Sequence, residues 1–116
     1  MTDNRPGVVF HLDEASPEKQ RGVAGNIEHL MVELADGSPI ELVAHGEGLS
    51  IALRGSPMES DVRRLLEQGV VIAACHNTMR SKGVGPDRLI EGVHIVPAGV
   101  AELVRRQRDG WAYVRP

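Results

Sequence analysis

Apolar and polar positions follow one another along this chain in blocks of two different periods. Val8-Val9-Phe10-His11-Leu12, Ile40-Glu41-Leu42-Val43-Ala44 and Val70-Val71-Ile72-Ala73-Ala74 are short, nearly continuous apolar runs bounded by turn residues. That is the pattern of strands buried on both faces. Between them the apolar residues recur at helical spacing. Val23, Ile27, Leu30, Met31 and Leu34 are separated by 4, 3, 1 and 3 positions, the stripe of an amphipathic helix. Ser16-Pro17 in front of it reads as a cap followed by proline at the first helical position, and Asp36-Gly37 ends it. Ser56-Pro57-Met58-Glu59 has the form of a capping box; Met58, Val62, Leu65 and Leu66 line the helix behind it and Gly69 closes it.

Weaker signals fill the remainder. A short helical piece is expected over residues 49–53, and residues 76–92 read as loop with one helical turn near Asp87 to Ile90. Val93-His94-Ile95-Val96 is a fourth strand. Val100, Leu103 and Val104 mark a last helix ending at Gly110, and Trp111-Ala112-Tyr113-Val114 is a final short strand. Strands alternating with helices over short connections imply an α/β domain, with a parallel sheet and helices on both faces. Residues 1–116 are read as one such domain, which suits the length.

Composition narrows the class. Hydrophobic residues make up 41% of the 116, ordinary for a globular chain. Net charge is −3 and aromatics are 3%, so neither a basic footprint nor stacking platforms for nucleic acid are present. The first 15 residues lack the pattern of a signal peptide, and no run reaches the ~18 apolar residues of a membrane span. The single cysteine forms no internal disulfide and fits a reducing, cytoplasmic setting.

That cysteine, Cys75, ends the most apolar run, and His76-Asn77-Thr78-Met79-Arg80 follows it. In a parallel sheet, chemistry gathers beyond the carboxyl ends of the strands. That edge carries Asp13, His45, Cys75 and Pro97 after strands one to four. A thiol becomes a nucleophile as thiolate, which needs a positive field. The N–H groups of Asn77, Thr78 and Met79 and the charges of Arg80, Lys82 and Arg88 are candidates to supply one, with His45 as base or cationic partner. The competing reading is a small apolar residue closing a buried strand.

His45-Gly46-Glu47-Gly48 is either a turn whose N–H groups face an anion or a tight turn that needs glycine. It is neither a Rossmann fingerprint nor a P-loop. His11, His29, His45, His76 and His94 show no HxH or HxxxH spacing, and CxxC is absent, so no metal site is expected. His11 and His94 are assigned to the core or a pocket wall, and His29 to solvent. Arg105, Arg106 and Arg108 sit where cations oppose the negative end of a helix dipole.

Three blocks in order then carry a resemblance: Glu41-Leu42-Val43-Ala44-His45-Gly46-Glu47-Gly48, Val71-Ile72-Ala73-Ala74-Cys75-His76-Asn77-Thr78, and Val96-Pro97-Ala98-Gly99-Val100-Ala101-Glu102-Leu103 with Gln107 and Gly110-Trp111-Ala112-Tyr113. Together they resemble the DsrE/DsrF-like family of small sulfur-relay-associated proteins over nearly the whole chain. The resemblance implies a three-layer α/β/α sandwich on a five-stranded, mainly parallel sheet, with flavodoxin- or Rossmann-like layering. It implies homo-oligomers (trimers or hexamers), exchange with sulfur donor and acceptor proteins, and sulfur carried as a persulfide on the cysteine matching Cys75.

The expected function is therefore a cytoplasmic sulfur carrier or sulfurtransferase-like protein without a cofactor. Cys75 and His45 would perform the chemistry, and Gly46, Gly48, His76, Asn77, Thr78 and Met79 would line the ligand site. The alternative is a non-catalytic small-ligand-binding or partner-dependent oligomeric module that uses the same strand-end pocket.

Overall fold

In a computed structural model, which describes residues 5–116, five strands form one sheet: β1 (Val8–Leu12), β2 (Ile40–Ala44), β3 (Val71–Cys75), β4 (His94–Val96) and β5 (Ala112–Val114). Their order is β4-β3-β2-β1-β5, and every pairing within it is parallel. Four α-helices cross between them: α1 (Pro17–Leu34), α2 (Glu59–Glu67), α3 (His76–Lys82) and α4 (Gly99–Arg108). Two 3-10 segments, Gly46–Ala52 and Pro86–Arg88, fill the connections. The expected α/β class with a five-stranded parallel sheet is the observed one.

Period-two alternation sorts the strand residues onto two unequal faces. Phe10, Leu12, Leu42, Ala44, Ile72 and Ala74 face a large core shared with Val23 and Ile27 of α1, Leu49 and Ile51, and Val62 and Leu65 of α2. Val9, Val43 and Ala73 face the other way, where Leu103 of α4 completes a far smaller cluster edged by Val96 and Trp111. This second face carries one helix, so its outer parts stay open: Val100 is 60% exposed, and His94, level with Ala73, is exposed too.

Local signals account for most boundaries. Ser16 Oγ accepts the Lys19 N–H at 3.3 Å and proline opens α1. That helix ends at Leu34, ahead of Asp36-Gly37, with Ala35 in the left-handed region and its N–H on the Met31 carbonyl. Leu34 itself is exposed.

Three readings need correction. The segment 76–92 is not mostly loop, because His76–Lys82 is helical. His76, Asn77 and Thr78 are weak helix formers, and the cap that starts this helix is a cysteine sulfur, which no capping pattern anticipates. Helix α2 starts at Glu59, not at Pro57. Ser56 Oγ accepts from the Met58 N–H, and the Glu59 carboxylate reaches back to the Gly55 N–H at 2.6 Å instead of to the serine. Arg106 is not a plain helix-end cation: its Nε donates to the buried Glu41 carboxylate at 2.6 Å, and its guanidinium lies 4.3 Å from the Trp111 ring centre. His94, assigned to the core or a pocket wall, is exposed on the edge strand β4 and lines a cavity over β3 and β4.

No helix among the described residues is long and apolar enough to cross a membrane.

Candidate functional site

Parallel register sets the carboxyl edge. Leu12 pairs with Ala44, Ala44 with Ala74, and Cys75 with Val96, so the residues just beyond these positions form one row. Cys75 ends β3 and caps α3. Its Sγ accepts two backbone hydrogen bonds, from the Thr78 N–H at 3.5 Å and from the Gly99 N–H at 3.3 Å. The residue is only 5% exposed. Burial by itself pushes the thiol up. The Thr78 hydroxyl and the N–H groups of Thr78, Gly99 and Asn77 act against burial, and the balance holds the thiol below its ordinary value. Hydrogen bonds donated to sulfur favour its anion. A neutral thiol that merely filled space would show the opposite shift.

Thr78 is held in this role from behind, because its Oγ1 accepts the Gly46 N–H at 2.9 Å. That leaves the hydroxyl proton for the sulfur. Gly99, at the start of α4, packs closely on the end of β2. A Cβ at that position would lie 3.0 Å from His45 Cβ and 3.2 Å from Val43 Cγ1, so only glycine brings this N–H to the sulfur without displacing its neighbours. Gly99 was not among the expected site residues. A glycine opening a helix just past the fourth strand, on the edge that carries Cys75, was the available signal.

The remaining expected residues divide. Asn77 and His76 are exposed beside the cysteine. Met79 is buried in the large core, so its side chain lines no surface there. The His45-Gly46-Glu47-Gly48 turn offers no free anion cradle. Its Gly46 N–H is used by Thr78, and its Gly48 N–H by the His45 carbonyl at 2.9 Å. Gly46 sits at φ +56°. Gly48 is required because a Cβ there would lie 2.3 Å from the Leu12 carbonyl oxygen. Tight-turn geometry, and not ligand approach, explains both glycines.

His45 faces away from the role expected for it. Its Nε2 shares a hydrogen bond with Nε2 of His11, the two rings stack at 4.6 Å, and none of the described hydrogen bonds joins it to Cys75. His11 is bonded on its other side, through Nδ1, to the Tyr113 hydroxyl at 2.6 Å. Desolvation and the neighbouring His45 hold the His11 ring below its ordinary value, against the opposing pull of Asp13. Asp13 receives Arg115 at 3.0 and 3.3 Å. One donor atom each from His11, Asp13 and His45 lie within 4.8 Å of one another. The expectation of no metal-ligand cluster rested on local spacing, which is blind to donors on adjacent strands.

Cavities of comparable size lie elsewhere. One of about 370 Å³, lined by Met31, Leu34, Pro39, Ile40 and Gln68 among others, sits at the amino end of β2, opposite the cysteine. Another of about 360 Å³ lies over β3 and β4 beside α4, between Glu41, Ile95, Glu102 and Arg106. Cys75 lines neither of them.

Comparison with known proteins agrees with this architecture. The protein of unknown function MTH1491 from Methanobacterium thermoautotrophicum is 42% identical, with a TM-score of 0.93 over 97% of this chain and all of that one. The ychN protein from E. coli shares the fold, with a TM-score of 0.83 and 18% identity over the same fractions. None of the curated proteins is significantly similar. Residues 7–116 match the DsrE/DsrF-like family, and with that match spanning the sheet, all four helices and Cys75, the chain belongs to the DsrE/DsrF-like family.

Proposed function

We propose that this protein carries sulfane sulfur as a persulfide on Cys75. Membership of the family points to sulfur relay in general terms. The observation that carries the finer reading is the pair of backbone N–H groups, from Thr78 and Gly99, directed at Sγ. They come from two different helices and favour the thiolate without any ionised partner. The thiolate would attack the outer sulfur of a donor persulfide. A sulfur–sulfur bond forms to Cys75 as the donor's own breaks, and the electron pair of the broken bond leaves with the donor thiolate. An acceptor thiolate then attacks the same outer sulfur and releases Cys75 as thiolate, so the two exchanges need no external oxidant or reductant. In this scheme His45 contributes no proton to the sulfur. The partners are donor and acceptor proteins or low-molecular-weight thiols, and a cytoplasmic, homo-oligomeric protein remains part of the proposal.

The low exposure of Cys75 favours one rival reading. As the capping residue of α3, its sulfur has a structural use whether or not it reacts. Alkylation of the native protein followed by mass across a pH series separates the two. The expected result is labelling whose rate levels off at a pH below that of a free thiol, ~8.5. A mass gain of one sulfur atom on incubation with a persulfide donor should follow, and should be absent in Cys75→Ser. Labelling seen only after denaturation would leave Cys75 as a cap.

A further inference from the structure

We infer that His11, His45 and Asp13 form a binding site for one divalent transition-metal ion of borderline softness, Zn²⁺ being the leading candidate. Strand periodicity makes the site. Val9 and Val43 share the smaller face of the sheet, so His11 and Asp13, two and four positions past Val9, and His45, two past Val43, project to that same side. The pairing of Leu12 with Ala44 brings the two strand ends together. One oxygen and two imidazole nitrogens then lie within 4.8 Å of one another, close enough to converge on one ion through side-chain rotation alone.

A second, independent feature concerns the ring orientation. His11 is tied at Nδ1 to the Tyr113 hydroxyl at 2.6 Å, and its Nε2 faces Nε2 of His45. Metal-bound histidines are oriented in this manner, one nitrogen held by an outer partner and the other presented to the ion. With the Nδ1 proton on Tyr113, the Nε2 lone pair of His11 points into the gap between the rings. The two Nε2 atoms face each other across this gap, and the rings would swing apart to admit an ion between them. Asp13 spends part of its carboxylate on Arg115 and keeps lone pairs to spare. Two nitrogens and one oxygen suit Zn²⁺, Co²⁺ or Ni²⁺ and not Mg²⁺ or Ca²⁺, which prefer oxygen throughout. Three protein ligands leave a coordination position open to a small molecule.

The site does not depend on the sulfur reading, and the test keeps them apart. The native protein is titrated with Zn²⁺ by calorimetry and with Co²⁺ by visible absorption. One ion per chain is expected, with the same affinity in Cys75→Ser and no saturable binding in His11→Ala or His45→Ala. Tyr113→Phe is expected to weaken binding by ~10-fold or more, with an unchanged circular dichroism spectrum. Should the histidine variants fail to fold, Asp13→Asn and Tyr113→Phe decide the matter, and native affinity in both would overturn the site. The site would equally be lost if the native protein took up no ion, or if binding vanished in Cys75→Ser yet survived in His11→Ala.

Discussion

Two stretches of the same sheet edge solve the problem of placing polar groups in opposite ways. At Cys75 the polar atoms are backbone N–H groups fixed by the starts of α3 and α4, and among the described residues the only side chain directed at the sulfur is Thr78. About one strand away, His11, Asp13, His45, Tyr113 and Arg115 meet through side chains from separate segments of the chain. The first arrangement fixes the charge state of one atom and tolerates little displacement. The second is adjustable, because rings and carboxylates rotate while the backbone stays put. Gly46 and Gly48 join them: one hydrogen-bonds Thr78, and the other packs on the carbonyl that precedes Asp13.

The sharpest way to break this comparison is Gly48→Ala. Its methyl group would meet the Leu12 carbonyl oxygen and carbon at 2.3 and 2.7 Å, both backbone atoms that yield only if β1 moves. A loss of about 3 kcal/mol is expected, read from the denaturant midpoint. Zn²⁺ affinity should fall with it, and an unchanged midpoint would contradict the close approach. Thr78→Val comes next. It removes the hydroxyl directed at the sulfur and orphans the Gly46 N–H, costing about 1–3 kcal/mol. The apparent pKa of Cys75 alkylation should rise, because a donor to the anion is lost while burial stays. If it stays where it was, the N–H groups alone set the thiol.

The smallest effect lies off the edge, beneath α4. Glu41 is 1% exposed. Burial, with the hydrogen bond that its protonated form donates to the neighbouring Glu102 carboxylate, pushes it from 4.5 up to about 7, against the opposing pull of Arg106. Its folded state holds a proton that the unfolded chain has released, so this group's contribution to stability declines as pH rises from 4.5 to about 7 and is level above that. Glu102 moves the other way, so its own contribution changes below pH 4.5 and is level across this window. The stability difference between the native protein and Glu41→Gln should therefore shift toward the variant by about 1 kcal/mol across that window. A difference flat with pH would mean that Arg106 keeps Glu41 ionised throughout. In either case Cys75 alkylation should be untouched, which makes this variant the control for the other two.

Much of the fold was legible because its signals are local. Continuous apolar runs located β1 and β2 without error, and β3 to within one residue, since a strand buried on both faces cannot carry polar residues along its length. Glu41 breaks that rule inside β2 and is tolerated because Arg106 reaches it from α4, a partner 65 positions away. Helix α3 was illegible because its cap is a sulfur and its face lacks an apolar stripe. The cysteine's place at a strand end could be read directly, whereas the identity of its partners could not. Asn77 and Thr78 lie close in sequence, but Gly99 is 24 residues on.

What the sequence determined by itself was the class of fold, the direction of the strands and the edge on which chemistry would sit, since hydrophobic period and short connections leave few alternatives. Tertiary structure decided which groups meet there. It turned His45 from the thiol toward His11 and brought a glycine of the last helix to the sulfur. It also gathered two histidines and an aspartate that no local spacing pairs. Hydrophobic burial reads out residue by residue along one dimension, but a hydrogen bond or a shared ion depends on distances across strands, which exist only once the sheet has formed.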